Sequence, residues 1–249
     1  MKPMILASPA DLAQAAAERF VVATRSAVAR RGVCRLALSG GSTPAAMHRL
    51  LTQSPWRERV PWDRLHIFWS DERCVAPDHP DSNYLMARQT LLDHVPVPEP
   101  QIQRVPGEME PSAGAAAYQD ILVKAFGLPG VEPGTFPSFD LLLLGVGPDG
   151  HTASLFPGHP LLSEGEAWVA PIYDSPKPPP QRITFTLPVL NAARRVLFLV
   201  AGGGKADAVG RIFAGKVAPE AGLPAARVRP SGGEVTWLLD EAAARNLPR

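Results

Sequence analysis

Cys34-Arg35-Leu36-Ala37-Leu38-Ser39-Gly40-Gly41-Ser42-Thr43-Pro44 is the stretch from which the fold can be read. Its first five residues are apolar at all but one position, as in a short buried strand, and the run breaks at once into two glycines flanked by hydroxyl side chains. Thr43 then reads as a helix cap and Pro44 as a first helical position, with the helix running towards Leu51. This strand–loop–helix unit recurs. Leu65–Trp69 opens into Ser70-Asp71-Glu72-Arg73 ahead of a helix near 82–92. Residues 140–144 open into Gly145-Val146-Gly147-Pro148-Asp149-Gly150-His151. Upstream, Ser8, Pro9 and Asp11 read as cap, first helical residue and capping-box partner of a helix that Gly32 stops. Leu12, Ala16, Phe20, Ala23 and Ala27 mark its inner face. Downstream, 183–187, 196–200 and 235–239 read as strands, and 115–126, 205–214 and 240–245 as helices. Near-continuous apolar strands alternating with helices predict an α/β fold: a mostly parallel, doubly wound sheet with helices on both faces. In such sheets ligands bind beyond the carboxyl ends of the strands, where the glycine-rich and charged loops fall here.

Composition narrows the function. Lys+Arg 25 against Asp+Glu 24 leaves a formal charge of +1, which gives no electrostatic case for a nucleic-acid or membrane-surface partner. Hydrophobic residues at 45% suffice for a sizeable core, and Gly 21 with Pro 28 stays below the roughly 25–30% of low-complexity chains. The prolines at 96–100 and 176–180 mark loops too short to separate domains, so residues 1–249 are expected to form a single domain. The two cysteines, Cys34 and Cys74, are too few for a disulfide framework and suit a reducing cytoplasm. The longest apolar runs fall far short of the ~20 residues that cross a bilayer, and no signal segment is evident, so a soluble intracellular protein is expected.

Three loops can carry chemistry. Gly40 and Gly41 let backbone approach a ligand, the following helix offers free N–H groups to an anion, and Ser39, Ser42 and Thr43 add hydroxyls. The set suits a phosphate; the plainer alternative is an ordinary strand-to-helix turn. It is no Walker loop, since no Gly-Lys-[Ser/Thr] follows. Residues 145–150 formally match a dinucleotide fingerprint. Pro148 sits badly in it and no acidic residue follows at the usual spacing, which argues against NAD. Beyond it, Asp149 and His151 place a carboxylate and an imidazole two residues apart, and a histidine near pKa 6.5 can serve as a general base at neutral pH. Asp71 and Arg73 end another strand and face the same crevice in this architecture. Lys205, after Gly202-Gly203-Gly204, sits at a helix start, where a cation is unfavourable unless an anion binds. Arg182 can join it. The histidines show no metal-ligand spacing and no Cys-x-x-Cys occurs, so neither metal nor cofactor is expected. No Gly-x-Ser-x-Gly elbow supports a serine hydrolase. Cys34 reads as buried and inert, and Cys74 beside Arg73 as a weak candidate for a reactive thiol.

These motifs together resemble the 6-phosphogluconolactonases. The resemblance rests on Leu38-Ser-Gly-Gly-Ser-Thr-Pro44, on Ser70-Asp-Glu-Arg73 followed by Asp81-Ser-Asn-Tyr84, and on Gly145 to Pro157 with its Asp-Gly-His-Thr-Ala-Ser-Leu-Phe-Pro tail. Arg182-Ile-Thr-Phe-Thr and Gly204-Lys-Ala206 follow in order. It implies a fold shared with the glucosamine-6-phosphate deaminases and ribose-5-phosphate isomerases. It also implies hydrolysis of 6-phospho-glucono-1,5-lactone, the second step of the oxidative pentose phosphate pathway. His151 is then the base for water, with Asp149 or Asp71 supporting it. Arg73 either stabilises developing charge or holds phosphate. Ser39, Gly40, Gly41, Ser42, Thr43, Arg182 and Lys205 bind substrate and phosphate, and the protein acts as a monomer or weak homo-oligomer. The related deaminases carry Asp-Glu-Tyr where this chain has Asp71-Glu72-Arg73, and a different segment after the Asp-Gly-His motif, which favours the lactonase reading. A sugar-phosphate-sensing regulator of the same fold is expected to bear a helix-turn-helix head, for which these 249 residues leave no room.

Overall fold

Strand β2 (Cys34–Leu38) pairs in parallel with β3 (Leu65–Trp69) on one side and β5 (Leu141–Leu144) on the other. The structure, a computed structural model, describes residues 2–214 and 222–248. β5 continues into β8 (Arg195–Val200), β9 (Glu234–Asp240) and β1 (Met4–Leu6), giving a six-stranded, wholly parallel sheet in the order β1-β9-β8-β5-β2-β3. β5 is buried at every position and β2 and β8 at nearly every one, which requires cover on both faces. The expected doubly wound sheet is present. Its chain order reverses between β2 and β5, so the loops leaving these two strands diverge and open a crevice.

Helix α1 (Pro9–Arg31) packs against α2 (Ser42–Leu51) and against β8 and β9. The five apolar positions of its inner face are all buried. Gly32 ends it at φ 78°, a left-handed turn that glycine adopts without a Cβ clash. The Ser8 hydroxyl accepts from the Asp11 N–H at 3.1 Å, as a cap should. Asp11, however, accepts from the Ser8 hydroxyl at 2.6 Å and not from the Ser8 N–H: its side chain is one methylene short of the reach a capping box needs.

The cap of α2 falls on Gly41, not on Thr43. With φ 111° at Gly41, Ser42 is already helical and no side chain caps the turn. Pro44 sits in the first turn, where its missing N–H costs nothing.

A larger departure concerns the second sheet. Asp71–Arg73, expected as loop, forms strand β4, and the strand expected over 183–187 in the main sheet runs over Arg182–Phe185 as β7, with Thr186 already capping a helix that starts at Leu187. With β6 (Val169–Ile172) they make a separate antiparallel sheet in the order β4-β7-β6. Ser70 is the corner: its N–H donates to Leu38 O in the main sheet at 2.9 Å, and its carbonyl accepts from Phe185 N in the small one at 2.8 Å. A short buried run carries no mark of the sheet it joins, and a three-residue charged strand carries no strand signal.

The remaining α-helices of the described residues are α3 (Trp56–Arg59), α4 (Asn83–Thr90), α5 (Pro111–Phe126), α6 (Leu187–Asn191), α7 (Ala206–Phe213), α8 (Pro224–Arg227) and α9 (Glu241–Ala244). α5 bridges the two sheets. Phe68 of β3 meets Phe126 and Phe139, Phe139 meets Phe185 of β7, and Tyr118 stacks on Phe185 at 5.8 Å. The Tyr118 hydroxyl accepts from Trp69 N at 2.9 Å and donates to Trp69 O at 3.0 Å, satisfying the end of edge strand β3.

β4 is fastened to α4 by Glu72, which is 3% exposed. Its carboxylate accepts from Arg73 N (2.8 Å), Asn83 N (2.7 Å), Tyr84 N (2.8 Å) and the Ser82 hydroxyl (3.1 Å). A carboxylate there answers the orphan N–H groups of a helix start. Replacing Glu72 with alanine strands these donors. It is expected to lower stability by about 2–4 kcal/mol, or roughly 5–15 °C in Tm. A thermal melt shifted by less than about 2 °C would contradict this anchoring.

Candidate active site

The crevice at the β2/β5 divergence is a cavity of about 320 Å³. That is near the lower end of the roughly 300–1,000 Å³ of small-molecule sites, a size for a monosaccharide derivative and not a dinucleotide. Its walls are the loops after β2, β3, β5 and β8, closed on one side by β7. Ser39, Gly40, Gly41, Ser42, Thr43, Asp71, Arg73, His151, Arg182 and Lys205 all line it. Asp149 stands behind His151.

The loop after β2 brings the open start of α2 to the cavity. Ser42 and Thr43 belong to the first helical turn, so their N–H groups have no intrahelical acceptor, and no side chain of the described residues caps them. The position holds partial positive charge and free donors, an anion site in waiting. Gly40 is required here for space. A Cβ on it would lie 1.9 Å from the Asn83 amide oxygen, and that amide is fixed by donating to Asp71 O at 2.9 Å. Asn83, buried and lining the cavity, thus positions the glycine loop against β4. In the sequence it stands only inside the Asp81–Tyr84 motif, with nothing local to mark a task.

The loop after β5 is a tight turn and no helix follows it, which removes the dinucleotide reading. Gly150 N donates to Gly147 O at 2.9 Å and Gly147 N to His151 O at 2.8 Å. The turn folds Asp149 Oδ1 to 2.6 Å from His151 Nδ1. Gly147 makes the room, since a Cβ there would stand 2.0 Å from that nitrogen. An ionised carboxylate only accepts, so Nδ1 carries the proton and Nε2 is left with its lone pair. Burial lowers the His151 pKa from its ordinary 6.5; Asp149 and Asp71 oppose this, and Arg182 adds to it. For Asp149, burial pushes the carboxyl upward, but the His151 ring, by its charge when protonated and by its hydrogen bonds, outweighs it and the net direction is down. The first direction leaves the imidazole neutral at neutral pH, and the second leaves the carboxylate beside it ionised.

Asp71 is placed differently. Its Oδ2 accepts from the Ser154 hydroxyl at 2.6 Å, and Ser154 is fully buried. Of the two carboxylates, Asp149 is the one in contact with the imidazole, and Asp71 ties β4 to the turn that follows it. Ala153, on that turn, is held at φ 46°, a strained value for a residue with a side chain.

Arg182, 5% exposed, spends most of its donors inside the chain. Nε donates to Pro179 O, Nη2 to Lys177 O and Pro178 O, each at 3.1 Å, and Nη1 contacts the Ser154 hydroxyl at 3.4 Å. Of its five N–H groups one is left for a ligand. Arg73 donates from Nη1 to Asp81 O at 2.5 Å, while its buried Nε has no partner among the described residues. Lys205 closes a 3-10 turn, Gly203–Lys205, one residue ahead of α7, with Gly202 at φ 94° bonded to Asp240. Burial lowers its pKa, Asp149 opposes this and Lys177 adds to it.

Cys34 is buried, which raises its pKa, and Cys74 is pushed up to about 11 by burial and by Glu72 and Glu110. Neither is a thiolate at neutral pH. Among the described residues no three His, Cys, Asp or Glu side chains gather as a metal site, and no helix is long and apolar enough to cross a membrane.

Known proteins share this architecture. The family described as glucosamine-6-phosphate isomerases/6-phosphogluconolactonase matches residues 7–237. The 6-phosphogluconolactonase of Homo sapiens is 46% identical over 239 residues, 96% of this chain and 89% of that one. The solved structure of 6-phosphogluconolactonase from Trypanosoma cruzi superposes with a TM-score of 0.86 at 32% identity, covering 100% of this chain and 98% of that one. A monomeric glucosamine-6-phosphate deaminase, 22% identical, has the same fold, with a TM-score of 0.79 over 99% of this chain and 100% of its own. The chain belongs to the glucosamine-6-phosphate isomerase/6-phosphogluconolactonase family.

Proposed function

We propose that this crevice hydrolyses 6-phospho-glucono-1,5-lactone to 6-phosphogluconate. One observation carries the reading: a neutral imidazole, oriented by Asp149, faces the same small cavity as an uncapped helix start and a half-buried lysine. The first supplies a base and the other two supply a seat for a phosphate dianion. The likeness to 6-phosphogluconolactonases at 46% and 32% identity supports the same substrate.

In this mechanism His151 Nε2 takes a proton from water as its oxygen attacks C1 of the lactone. The C1 carbonyl becomes a tetrahedral oxyanion. The C1–ring oxygen bond then breaks, and the imidazolium returns its proton to the departing oxygen, leaving neutral His151 and the open-chain acid. Asp149 stays ionised throughout, fixing the ring and offsetting the transient imidazolium charge. Arg73 stabilises the oxyanion from the β4 side. Ser42, Thr43 and Lys205 hold the phosphate, with Ser39 bordering it and Gly40 and Gly41 giving the backbone access. Arg182 adds one N–H and its charge, its other donors being spent on the 177–179 carbonyls and the Ser154 hydroxyl. A lactone is an activated ester, so the barrier left to the protein is modest.

Three outcomes test this. His151→Ala is expected to lower kcat by about 10²–10⁴-fold with an unchanged thermal melt, after subtraction of spontaneous hydrolysis; a loss under threefold would remove His151 from the mechanism. Ammonia release from glucosamine 6-phosphate by the wild type, without lactone hydrolysis, would replace this reading with the deaminase one.

The second outcome is the pH profile. His151 acts in its neutral form, and burial lowers its pKa, so activity persists further into acid than an ordinary histidine allows. The acid limb of kcat/KM is expected below pH 6.5; a limb above 7 contradicts it.

The third concerns phosphate. Lys205→Ala should cost tenfold or more in kcat/KM, about 1.4 kcal/mol, on the phosphorylated lactone and leave unphosphorylated gluconolactone unaffected. Equal losses on both would assign Lys205 to the chemistry or to folding.

A further inference from the structure

The segment between β6 and β7 carries a lysine that neither the motifs nor the cavity walls single out. Lys177 lies in Ser175-Pro176-Lys177-Pro178-Pro179-Pro180, and its backbone is held at both polar groups. Its N–H donates to the Ser175 hydroxyl at 3.2 Å. Its carbonyl accepts from the Ser175 hydroxyl at 2.9 Å and from Arg182 Nη2 at 3.1 Å. Ser175 N donates to Pro180 O at 3.0 Å, closing the loop on itself. Asp174, at its start, meets His159 Nε2 at 3.1 Å. Four prolines restrict φ between these ties. A surface lysine on an ordinary loop has no such fastening. These ties fix the root of the side chain, and from it Lys177 Nζ stands 4.0 Å from Asp149 Oδ2, while Asp149 Oδ1 holds His151.

We propose that Lys177 is a positioning residue for the Asp149–His151 pair, its ammonium sharing the carboxylate with the imidazole and so keeping His151 unprotonated further into acid than the pair alone would. The proposal rests on the hydrolytic reading for its use but not for its physics. A carboxylate facing only an imidazole favours the imidazolium; a second, permanent cation on its other oxygen takes part of that stabilisation away. The charged groups that bear on His151 are Asp149 on its own turn, Asp71 from β4 and Arg182 from β7, while Lys177 from the proline loop and Lys205 from the turn before α7 bear on Asp149. The Phe156 ring, 4.8 Å away, adds no charge. Asp149 is the carboxylate bonded to the imidazole, and Lys177 is the cation placed against it. Lys177 is 44% exposed on its side chain, so its influence is screened and modest.

The test is an NMR titration of the His151 imidazole in the ligand-free protein, assigned by the signal lost in His151→Gln, for wild type, Lys177→Met and Lys177→Arg. Lys177→Met is expected to raise the His151 midpoint by about 0.3–0.8 pH units, and Lys177→Arg to stay within about 0.2 units of wild type. The acid limb of kcat/KM on the phosphorylated lactone should move to higher pH by the same amount in Lys177→Met only. An unchanged midpoint in Lys177→Met overturns the proposal, as does a rise of equal size in Lys177→Arg. A raised KM with an unmoved midpoint also overturns it and makes Lys177 a ligand contact instead. Absence of lactone hydrolysis in the wild type would sink the activity reading alone, since the titration is decided without turnover.

Discussion

Everything at this site depends on the chain diverging on either side of β2 and β5. Parallel pairing of Leu36 with Leu141 and Ala37 with Leu142 puts the carboxyl ends of the two strands side by side, and the chain then leaves them in opposite directions. The gap cannot be filled by continuing the sheet. It is walled instead by two glycine-bearing turns, one presenting free N–H groups and the other a histidine. Loops after β3 and β8 add the arginine and the lysine because those strands are the next neighbours on each side. The polarity of the crevice is thus a consequence of strand order before it is a matter of side chains.

The second sheet makes the crevice rigid. Ser70 turns the chain from one sheet into the other, Asp71 accepts from Ser154, and Glu72 gathers four donors from its own strand and the start of α4. These are buried polar groups with their partners supplied, a network that is costly to break at any single point. Arg182 belongs to it as much as to the crevice. A guanidinium that holds three successive carbonyls is a structural clamp first and a ligand contact second.

Much of this was legible in the sequence. The β2 and β3 boundaries coincide with the apolar runs 34–38 and 65–69, because a buried parallel strand has nothing but its run to show. The crevice-lining residues were found because strand-end glycines and charges have few other reasons to sit there. The features that local pattern does not carry have physical causes. β4 is three residues long and fully charged, so local pattern assigns it to loop although burial and pairing make it a strand. The cap of α2 moved from Thr43 to Gly41 because a positive φ, invisible in composition, decides where the helix begins. Asp71 and Asp149 were indistinguishable as supports for His151 until the fold showed which carboxylate touches the ring. Asn83 and Lys177 had no signal as functional residues, since their roles come from contacts across 12 and 28 positions of chain.

A crystal structure of the protein with 6-phosphogluconate bound would test the central claim most directly, because the crevice has a direction. The account requires the phosphate at the Ser42 and Thr43 N–H groups and the Lys205 ammonium, with the C1 carboxylate within about 3 Å of His151 Nε2. A product bound the other way round, with phosphate against His151 and C1 at the start of α2, would contradict it.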